Sequence, residues 1–213
     1  MATDVPGKLT EKVARLKGAL DRYPVIAAMR DEAALEAALH TPVQVIFVLS
    51  SDIGRVDRVG RAVAAAGKLL FFHLDFIDGL GRDEAGMAYL IQAAHPAGLI
   101  TTRTGLVQAA RRAGVIPLQR LFLLDSQSLS TGLEAARTSK AEVVEVLPGI
   151  IPRAVGAIQS QLTRTLIIAG GLVRTQAEAA RALAAGAAGV STSSQALWNL
   201  DPQVFRNGGQ STP

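Results

Sequence analysis

The sequence predicts an α/β protein in which eight β–α units close into a (β/α)₈ barrel. Apolar, β-branched runs alternate with Ala-rich amphipathic segments and recur roughly every 18 to 30 residues, the spacing of a strand plus one covering helix. The strands are almost continuously apolar, which indicates a parallel sheet covered on both faces. Eight such strands favour closure into a single-domain barrel with short loops.

These two patterns assign the elements in chain order. Strands are predicted at residues 25–29, 43–49, 69–75, 98–101, 118–124, 143–147, 166–169 and 189–191. Helices are predicted between them at 31–39, 56–66, 85–94, 104–113, 132–139, 153–161 and 176–185, with a last helix at 195–200. Asp31, Thr104 and Thr175 signal helix starts, and Thr175 with Glu178 has the pattern of a capping box.

The alternative architecture is an open, doubly wound sheet. Its dinucleotide-binding form carries a glycine-rich turn after the first strand. The corresponding turn here, Met29-Arg30-Asp31-Glu32, contains no glycine. The sequence therefore favours the closed barrel.

The repeats occupy residues 23–200, which we assign to one barrel domain. The chain has 213 residues, 49% of them hydrophobic, enough to form one large core. Residues 1–22 are interpreted as a basic N-terminal extension outside the repeats. Residues 201–213 are predicted to be a disordered tail.

Composition limits the compartment and the chemistry of the site. No apolar run approaches the roughly 20 residues that span a bilayer, and the charged start is unlike a signal peptide, so we expect a cytoplasmic protein with no membrane partner. The chain has no cysteine, which excludes disulfides, thiolate zinc sites and cysteine nucleophiles. Only three histidines are present, two of them away from strand ends, so no metal site is expected.

Two late strands end in small residues and predict a phosphate site. One ends in Gly170-Gly171, followed by Arg174, and the other in Ser191-Thr192-Ser193-Ser194. Glycines let the backbone approach a bound anion, and N–H groups at a following helix start point towards it. Parallel barrels form such a site after their seventh and eighth strands. A tight connection explains either turn alone, but the pair favours phosphate binding.

Polar residues at other strand ends extend this candidate site, because the ligand site of a parallel barrel lies at the carboxyl ends of its strands. Arg30, Arg103 and Arg174 each follow a strand end and are assigned to anion recognition. Asp75 and Glu145 would bind hydroxyl groups. Together these residues predict a site for a small phosphorylated ligand.

Some of these polar residues have an equally simple structural explanation. Glu145 lies within an apolar strand and could pair with Arg120 or Arg103 inside the barrel instead of contacting a ligand. His73 could be a hydrogen-bonded interior histidine, and Asp78 could cap a helix. We treat four residues as supporting members of the site: His73, Asp78, Arg120 and Asp125.

An enzyme built on the same barrel is the alternative function. No lysine lies at a strand end, so Schiff-base aldolase chemistry is not supported. Asp75 and Glu145 could nevertheless serve as acid and base on a sugar phosphate, as in an epimerase, isomerase or lyase.

Seven segments resemble the glycerol-3-phosphate-responsive antiterminator family of bacteria. The most specific is Glu145-Val146-Leu147-Pro148-Gly149-Ile150-Ile151-Pro152, and a second is Phe72-His73-Leu74-Asp75-Phe76-Ile77-Asp78-Gly79-Leu80. The others lie at residues 24–30, 96–103, 119–126, 169–175 and 191–198. The likeness covers about residues 23–200.

The resemblance implies a (β/α)₈-like barrel that binds glycerol 3-phosphate as an effector, without cofactor or turnover, and then acts on leader mRNA of glycerol uptake operons to prevent transcription termination. The net charge of +4 and arginines in segments 55–61 and 111–112 agree with an RNA partner, although an arginine-rich composition alone could produce them. Aromatic residues make up only 4% of the chain, so base stacking would be sparse. A homodimer is compatible with the sequence and would double the basic surface.

Overall fold

The computed structural model describes residues 5–206. Within them, eight parallel strands form a closed barrel in the order β1-β10-β9-β8-β7-β6-β4-β2, which confirms the predicted fold class. The barrel strands are β1 (Val25–Met29), β2 (Val45–Val48), β4 (Leu69–His73), β6 (Gly98–Thr101), β7 (Ile116–Phe122), β8 (Val143–Leu147), β9 (Leu166–Gly170) and β10 (Gly189–Thr192). Two short strands, β3 (Ser51–Asp52) and β5 (Ile77–Asp78), pair with each other above the barrel strands β2 and β4 that precede them.

Helices surround the barrel and connect its strands. They are α1 (Val5–Arg22), α2 (Glu32–Leu39), α3 (Val56–Ala65), α4 (Glu84–Ala94), α5 (Thr104–Arg112), α6 (Ser126–Ser139), α7 (Pro152–Gln161), α8 (Gln176–Ala184), α9 (Gln195–Trp198) and α10 (Gln203–Arg206). A single 3-10 turn, Leu74–Phe76, follows β4. Within the described residues no helix is long and apolar enough to cross a bilayer.

The alternation of side chains along each strand divides the core into two clusters. Outward-facing residues pack against the helices, and inward-facing residues fill the barrel. Phe47 and Phe71 meet inside the barrel with their ring centroids 5.2 Å apart. Gly98 makes room for them, because a Cβ at that position would lie 2.0 Å from the ring of Phe71.

The same alternation places a polar layer above this apolar interior. On β7, Ile116 and Leu118 are followed on the inner face by Arg120, and on β8 Val143 is followed by Glu145. His73 and Ser191 are the corresponding last inward residues of β4 and β10. The carboxyl end of the barrel is therefore lined by side chains that can bind a polar ligand.

Helix α1 seals the opposite end of the barrel. The sequence interpretation placed residues 1–22 outside the repeats as a basic extension and assigned them no packing role. In the structure Leu16 and Leu20 are buried together with the interior cluster, and Lys12 Nζ donates to the carbonyl of Gly114 at 2.7 Å. The extension thus contributes to the core.

Several element boundaries differ from prediction, among them β2 (45–48 instead of 43–49) and β4 (69–73 instead of 69–75), and two of the differences have identifiable reasons. β7 begins at Ile116, two residues before the predicted start, because Pro117, a residue rarely found inside strands, concealed its beginning. Helix α6 begins at Ser126 instead of residue 132, because Asp125 and Ser128 form a capping box that starts a helix in a Ser/Thr-rich segment. The capping box predicted at Thr175 and Glu178 is present.

The structure also differs from the predicted disorder after residue 200. Residues 203–206 form helix α10, and Phe205 is buried in the outer cluster. The remaining tail, residues 207–213, lies outside the described part of the chain.

Candidate functional site

The centre of the candidate site is a buried ion pair across β7 and β8. Arg120 and Glu145 are opposite each other in the strand register, and Arg120 Nε lies 2.6 Å from Glu145 Oε2. Ser191 on β10 donates to the other carboxylate oxygen, Oε1, at 2.5 Å. Of the two explanations for Glu145, pairing with an arginine is therefore realised. Because the carboxylate is already engaged by two donors, it is poorly placed to act as a general acid or base.

His73 lies beside this pair inside the barrel. Its ring is almost fully buried, packs on Phe76 at a centroid distance of 4.5 Å, and has no hydrogen-bond partner on either nitrogen among the described residues. Burial, together with the positive charges of Arg120 and Arg30, lowers the pKa of His73 to about 4, although the nearby carboxylate of Asp75 opposes this shift. The imidazole is therefore neutral at pH 7 and has donor and acceptor capacity to spare.

Asp75 holds the turns after β4 and β6 together. Its carboxylate accepts from Thr101 Oγ1 at 2.9 Å and from the N–H of Thr102 at 3.3 Å, and it lies 3.3 Å from Arg103 Nε. Arg103 also donates to the carbonyl of Arg82 at 3.0 Å. These contacts give Asp75 and Arg103 a structural role at the rim.

The two predicted phosphate turns lie side by side at the ends of the neighbouring strands β9 and β10. Gly171 adopts a φ of +74°, which requires a glycine, and Gly170 has no room for a side chain because a Cβ there would lie 2.4 Å from Glu145 Oε1. Ser194 Oγ donates to the carbonyl of Arg174 at 3.3 Å and links the two turns.

The start of helix α8 is occupied by a carboxylate of this chain. Glu178 Oε2 accepts from the N–H groups of Arg174 and Thr175 at 2.8 and 3.0 Å. These hydrogen bonds lower the pKa of Glu178. An anion bound at the two phosphate turns would therefore rely on the glycine turn, the Ser193 hydroxyl and the arginines more than on these two amides, which the sequence analysis had counted among the donors. The hydroxyl of Thr192 already donates to the carbonyl of Val173.

A cavity of about 390 Å³ opens at this end of the barrel, between the phosphate turns and the loop after β1. A volume of this size is in the usual range for small-molecule sites, about 300–1,000 Å³. The cavity brings together seven of the predicted residues: Arg30, Arg120, Glu145, Gly171, Arg174, Thr192 and Ser193. Neither Arg30 nor Arg174 has a side-chain hydrogen-bond partner among residues 5–206, so both guanidinium groups are available to an anion.

The other predicted residues do not line this cavity. Asp75, Arg103, Gly170 and Ser194 support it from the surrounding turns through the contacts described above, and His73 lies within the barrel wall. Asp78 is exposed in the β3–β5 ribbon. Asp125 is the N-cap of α6 and accepts from the N–H of Ser128 at 2.7 Å, which lowers its pKa.

Sequence reasoning missed several residues of the cavity wall. Ser191 was expected in the second phosphate turn, but its donation to Glu145 was not, although its inward position two residues after Gly189 indicates it. Trp198 Nε1 donates to the carbonyl of Thr192 at 2.9 Å and fixes the second phosphate turn. Asp31 lines the cavity and caps α2 by accepting from the N–H of Ala34 at 2.8 Å.

No group of three or more metal-binding side chains occurs in residues 5–206. The arrangement instead suits an anionic organic ligand: cations and hydroxyl groups surround the opening, and a carboxylate–guanidinium pair forms the floor. A polyol could donate to Glu145, while a phosphate group could accept from the arginines and hydroxyls.

Comparisons with known proteins agree with this geometry. The family model described as glycerol-3-phosphate responsive antiterminator matches residues 25–198. The uncharacterized protein YgcP of Escherichia coli (strain K12) is 33% identical over 186 residues, which cover 87% of this chain and 97% of the relative.

Two solved structures carry related descriptions. A glycerol uptake operon antiterminator regulatory protein from Listeria monocytogenes superposes with a TM-score of 0.79 and 28% identity, over 83% of this chain and 95% of that one. A glycerol uptake operon antiterminator-related protein from Thermotoga maritima gives a TM-score of 0.72 and 31% identity, over 82% and 96%. The first is described as a regulatory protein and the second as related to such antiterminators. The chain described here belongs to the glycerol-3-phosphate responsive antiterminator family.

Proposed function

We propose that this chain binds glycerol 3-phosphate in the cavity at the carboxyl end of the barrel and that the bound effector controls its action on leader RNA. In this proposal the complex prevents transcription termination ahead of genes for glycerol uptake, with no catalytic turnover and no cofactor. The observation that carries it is the meeting of two unpaired guanidinium groups, a glycine turn and two hydroxyl-bearing residues around one small cavity.

The proposed phosphate subsite consists of the residues that surround the opening. Arg30 and Arg174 supply positive charge, Gly171 allows close backbone approach, and Ser193 supplies a hydroxyl group. Thr192 holds the second turn in shape, because its Oγ1 donates to the carbonyl of Val173 at 2.6 Å and accepts from the N–H of Ser194 at 3.0 Å. The glycerol hydroxyls would lie deeper, towards Glu145 and Arg120. Asp75, Arg103, Gly170 and Ser194 would keep the surrounding turns in place.

Ligand binding is tested by isothermal titration of the full chain with glycerol 3-phosphate, with glycerol and inorganic phosphate as comparisons. We expect Arg174→Ala to weaken binding by about 1.5–3 kcal/mol, the range for a hydrogen bond to a charged group. The matched control is Arg61→Ala, because Arg61 is exposed on α3 and pairs with Asp57 away from the cavity. An unchanged affinity of Arg174→Ala would remove Arg174 from the site.

RNA binding is proposed to depend mainly on backbone phosphates. Several arginines that the sequence analysis noted on helices are paired with carboxylates, including Arg111 with Glu142 at 2.6 Å and Arg112 with Glu84 at 2.8 Å. These pairs reduce the free positive charge on α5, so other parts of the surface must contribute.

A gel-shift titration with the leader RNA of the chain's own operon tests this step. We expect binding that depends on glycerol 3-phosphate and falls steeply between two salt concentrations, because counterions are released from the RNA. Equal RNA affinity with and without the ligand would contradict the proposed regulation, even if the titration had shown ligand binding.

A further inference from the structure

Three neighbouring loops carry a cluster of exposed apolar side chains. Phe122 and Leu124 follow β7 with 52% and 87% of their surface exposed, Ile150 and Ile151 follow β8 with 38% and 43%, and Leu172 follows β9 with 61%. We call this cluster of five residues the β7–β9 rim.

Backbone hydrogen bonds hold the three loops side by side. The N–H of Leu123 donates to the carbonyl of Leu147 at 2.7 Å, which joins the first loop to the second. The N–H of Gly149 donates to the carbonyls of Gly170 and Gly171, which joins the second loop to the third. Because β7, β8 and β9 are adjacent in the barrel, the three loops are neighbours at the same end of it.

Leu172 has an unfavourable backbone conformation in addition to an exposed apolar side chain. Its φ of 63° lies in the left-handed region, which costs a non-glycine residue roughly 1–2 kcal/mol. A glycine at this position would avoid this conformational cost. Because the leucine side chain is mostly exposed in the monomer, its burial offsets little of that cost. Leu172 also lines the edge of the ligand cavity, but burial within a single chain does not explain a leucine at this position.

Leu124, which precedes helix α6, likewise does not pack against that helix. It precedes Asp125, the N-cap of α6, at the position from which an apolar residue commonly packs on the fourth helical residue, here Leu129. Its exposure of 87% shows that this contact is not made. The most exposed apolar side chain of the rim thus has no packing function in the isolated chain.

We propose that the β7–β9 rim is the contact surface between two copies of this chain. With exposures of 38–87%, the five residues together present roughly 500 Å² of surface, which is comparable to the range of about 300–600 Å² for the largest apolar patches on monomers. One partner in a stable interface contributes about 800 Å², so the rim with its polar border provides the core of such an interface. A two-fold axis places the same patch on both copies, so an apolar patch meets an apolar patch.

The chemistry of the rim favours a protein partner over RNA. Four of its five residues are aliphatic, whereas unstacked bases bind to aromatic rings and arginine planes. The three loops also carry both signs of charge, with Asp125 exposed on the first and Arg153 on the second, so two copies do not repel each other through this surface.

The inference depends on the exposed surface alone and not on the identity of the ligand. Its test is sedimentation equilibrium of the full chain without ligand, at concentrations up to about 100 μM, where a micromolar Kd is measurable. We expect a dimer for the natural sequence. Leu124→Glu and Leu172→Gly should each raise the dimer Kd at least about tenfold, a change of about 1.4 kcal/mol.

Two further measurements make the result unambiguous. Tyr89→Glu is the matched control, because Tyr89 is an exposed apolar residue on α4, away from the rim, and this variant should stay dimeric. At concentrations low enough for both proteins to be monomeric, Leu172→Gly should keep or raise the melting temperature, because glycine relieves the left-handed φ, and this separates loss of contact from loss of folding. A monomer throughout, or a dimer that neither rim variant weakens, would overturn the proposal, whatever the ligand titration shows.

Discussion

Arg120 and Glu145 face each other across β7 and β8, and their ion pair is the floor of the candidate ligand cavity. Both side chains are nearly inaccessible, at 7% and 1% exposure. An ion pair in such a place gives little net stability compared with apolar side chains, but each charge depends on the other. The pair therefore links the stability of the barrel to the shape of its ligand site.

Removing one partner should be costly. We expect Arg120→Met to lower the free energy of unfolding by about 3–5 kcal/mol, because it leaves Glu145 buried without its cation. Chemical denaturation measures this, and Arg112→Ala is the control, since its exposed pair with Glu84 should contribute less than about 1 kcal/mol.

The double variant Arg120→Met/Glu145→Leu distinguishes lost charge balance from lost packing. We expect it to recover much of the stability that Arg120→Met loses, because neither charge is then buried alone. A double variant that is less stable than Arg120→Met would show that the pair is a net stabilising contact.

Gly170 should not tolerate a side chain. A Cβ at this position would lie 2.4 Å from Glu145 Oε1 and 2.6 Å from Ser191 Oγ, so we expect Gly170→Ala to cost about 1–3 kcal/mol of stability by overpacking. Thermal unfolding provides the measurement. Gly105→Ala is the matched control, because Gly105 lies in α5 with no atom within 4 Å of its Cβ position and should be neutral or stabilised. Equal melting temperatures for the two variants would contradict the close packing at Gly170.

The barrel could be predicted from the sequence because its signal is repeated. Each parallel strand is buried on both faces, so the apolar runs at 25–29, 98–101 and 143–147 carry the pattern without interruption, and the observed strands have these bounds. The signal failed where another effect interfered locally, as at Pro117 in β7 and in the Ser/Thr-rich start of α6. The packing of α1 could not be foreseen, because an amphipathic helix outside the repeats does not indicate which end of a barrel it covers.

The sequence predicts which polar residues of the candidate site lie at strand ends. It does not predict which of them bind one another. The period of two along a strand places Arg120, Glu145 and Ser191 on the inner face, yet only three-dimensional proximity decides that they bind one another. Asp75 and Arg103 illustrate the same limit. Both lie at strand ends as predicted, but they bind to turns of the chain itself instead of lining the cavity.

Stability should fall in mild acid because of His73. Its pKa in the folded chain is about 4, below the ordinary value of 6.5, so between these values the unfolded chain binds a proton that the folded chain does not. The stability that depends on a neutral His73 is fully present above pH 6.5 and is lost as the pH falls towards 4. We expect the loss at pH 5 to be about 2 kcal/mol.

Comparison with His73→Gln isolates this effect from the titration of other groups. The free energy of unfolding is measured by denaturation at pH 7 and pH 5 for both proteins, and the natural sequence should lose about 2 kcal/mol more than the variant. If the two proteins show the same pH dependence, the imidazole is not held neutral by its surroundings.

Helix α1 should be needed for stability although it precedes the residues of the family model. Leu20 is almost fully buried and packs against β10, where its Cδ2 would lie only 2.9 Å from a Cβ added at Gly189. We expect Leu20→Ala to lower the free energy of unfolding by about 2–5 kcal/mol, through lost burial and the cavity that remains at the end of the barrel. Lys17→Ala, which removes only an exposed pair with Asp21, is the control and should change stability by less than about 1 kcal/mol. Matching denaturation curves for the two variants would mean that α1 lies on the barrel without supporting it.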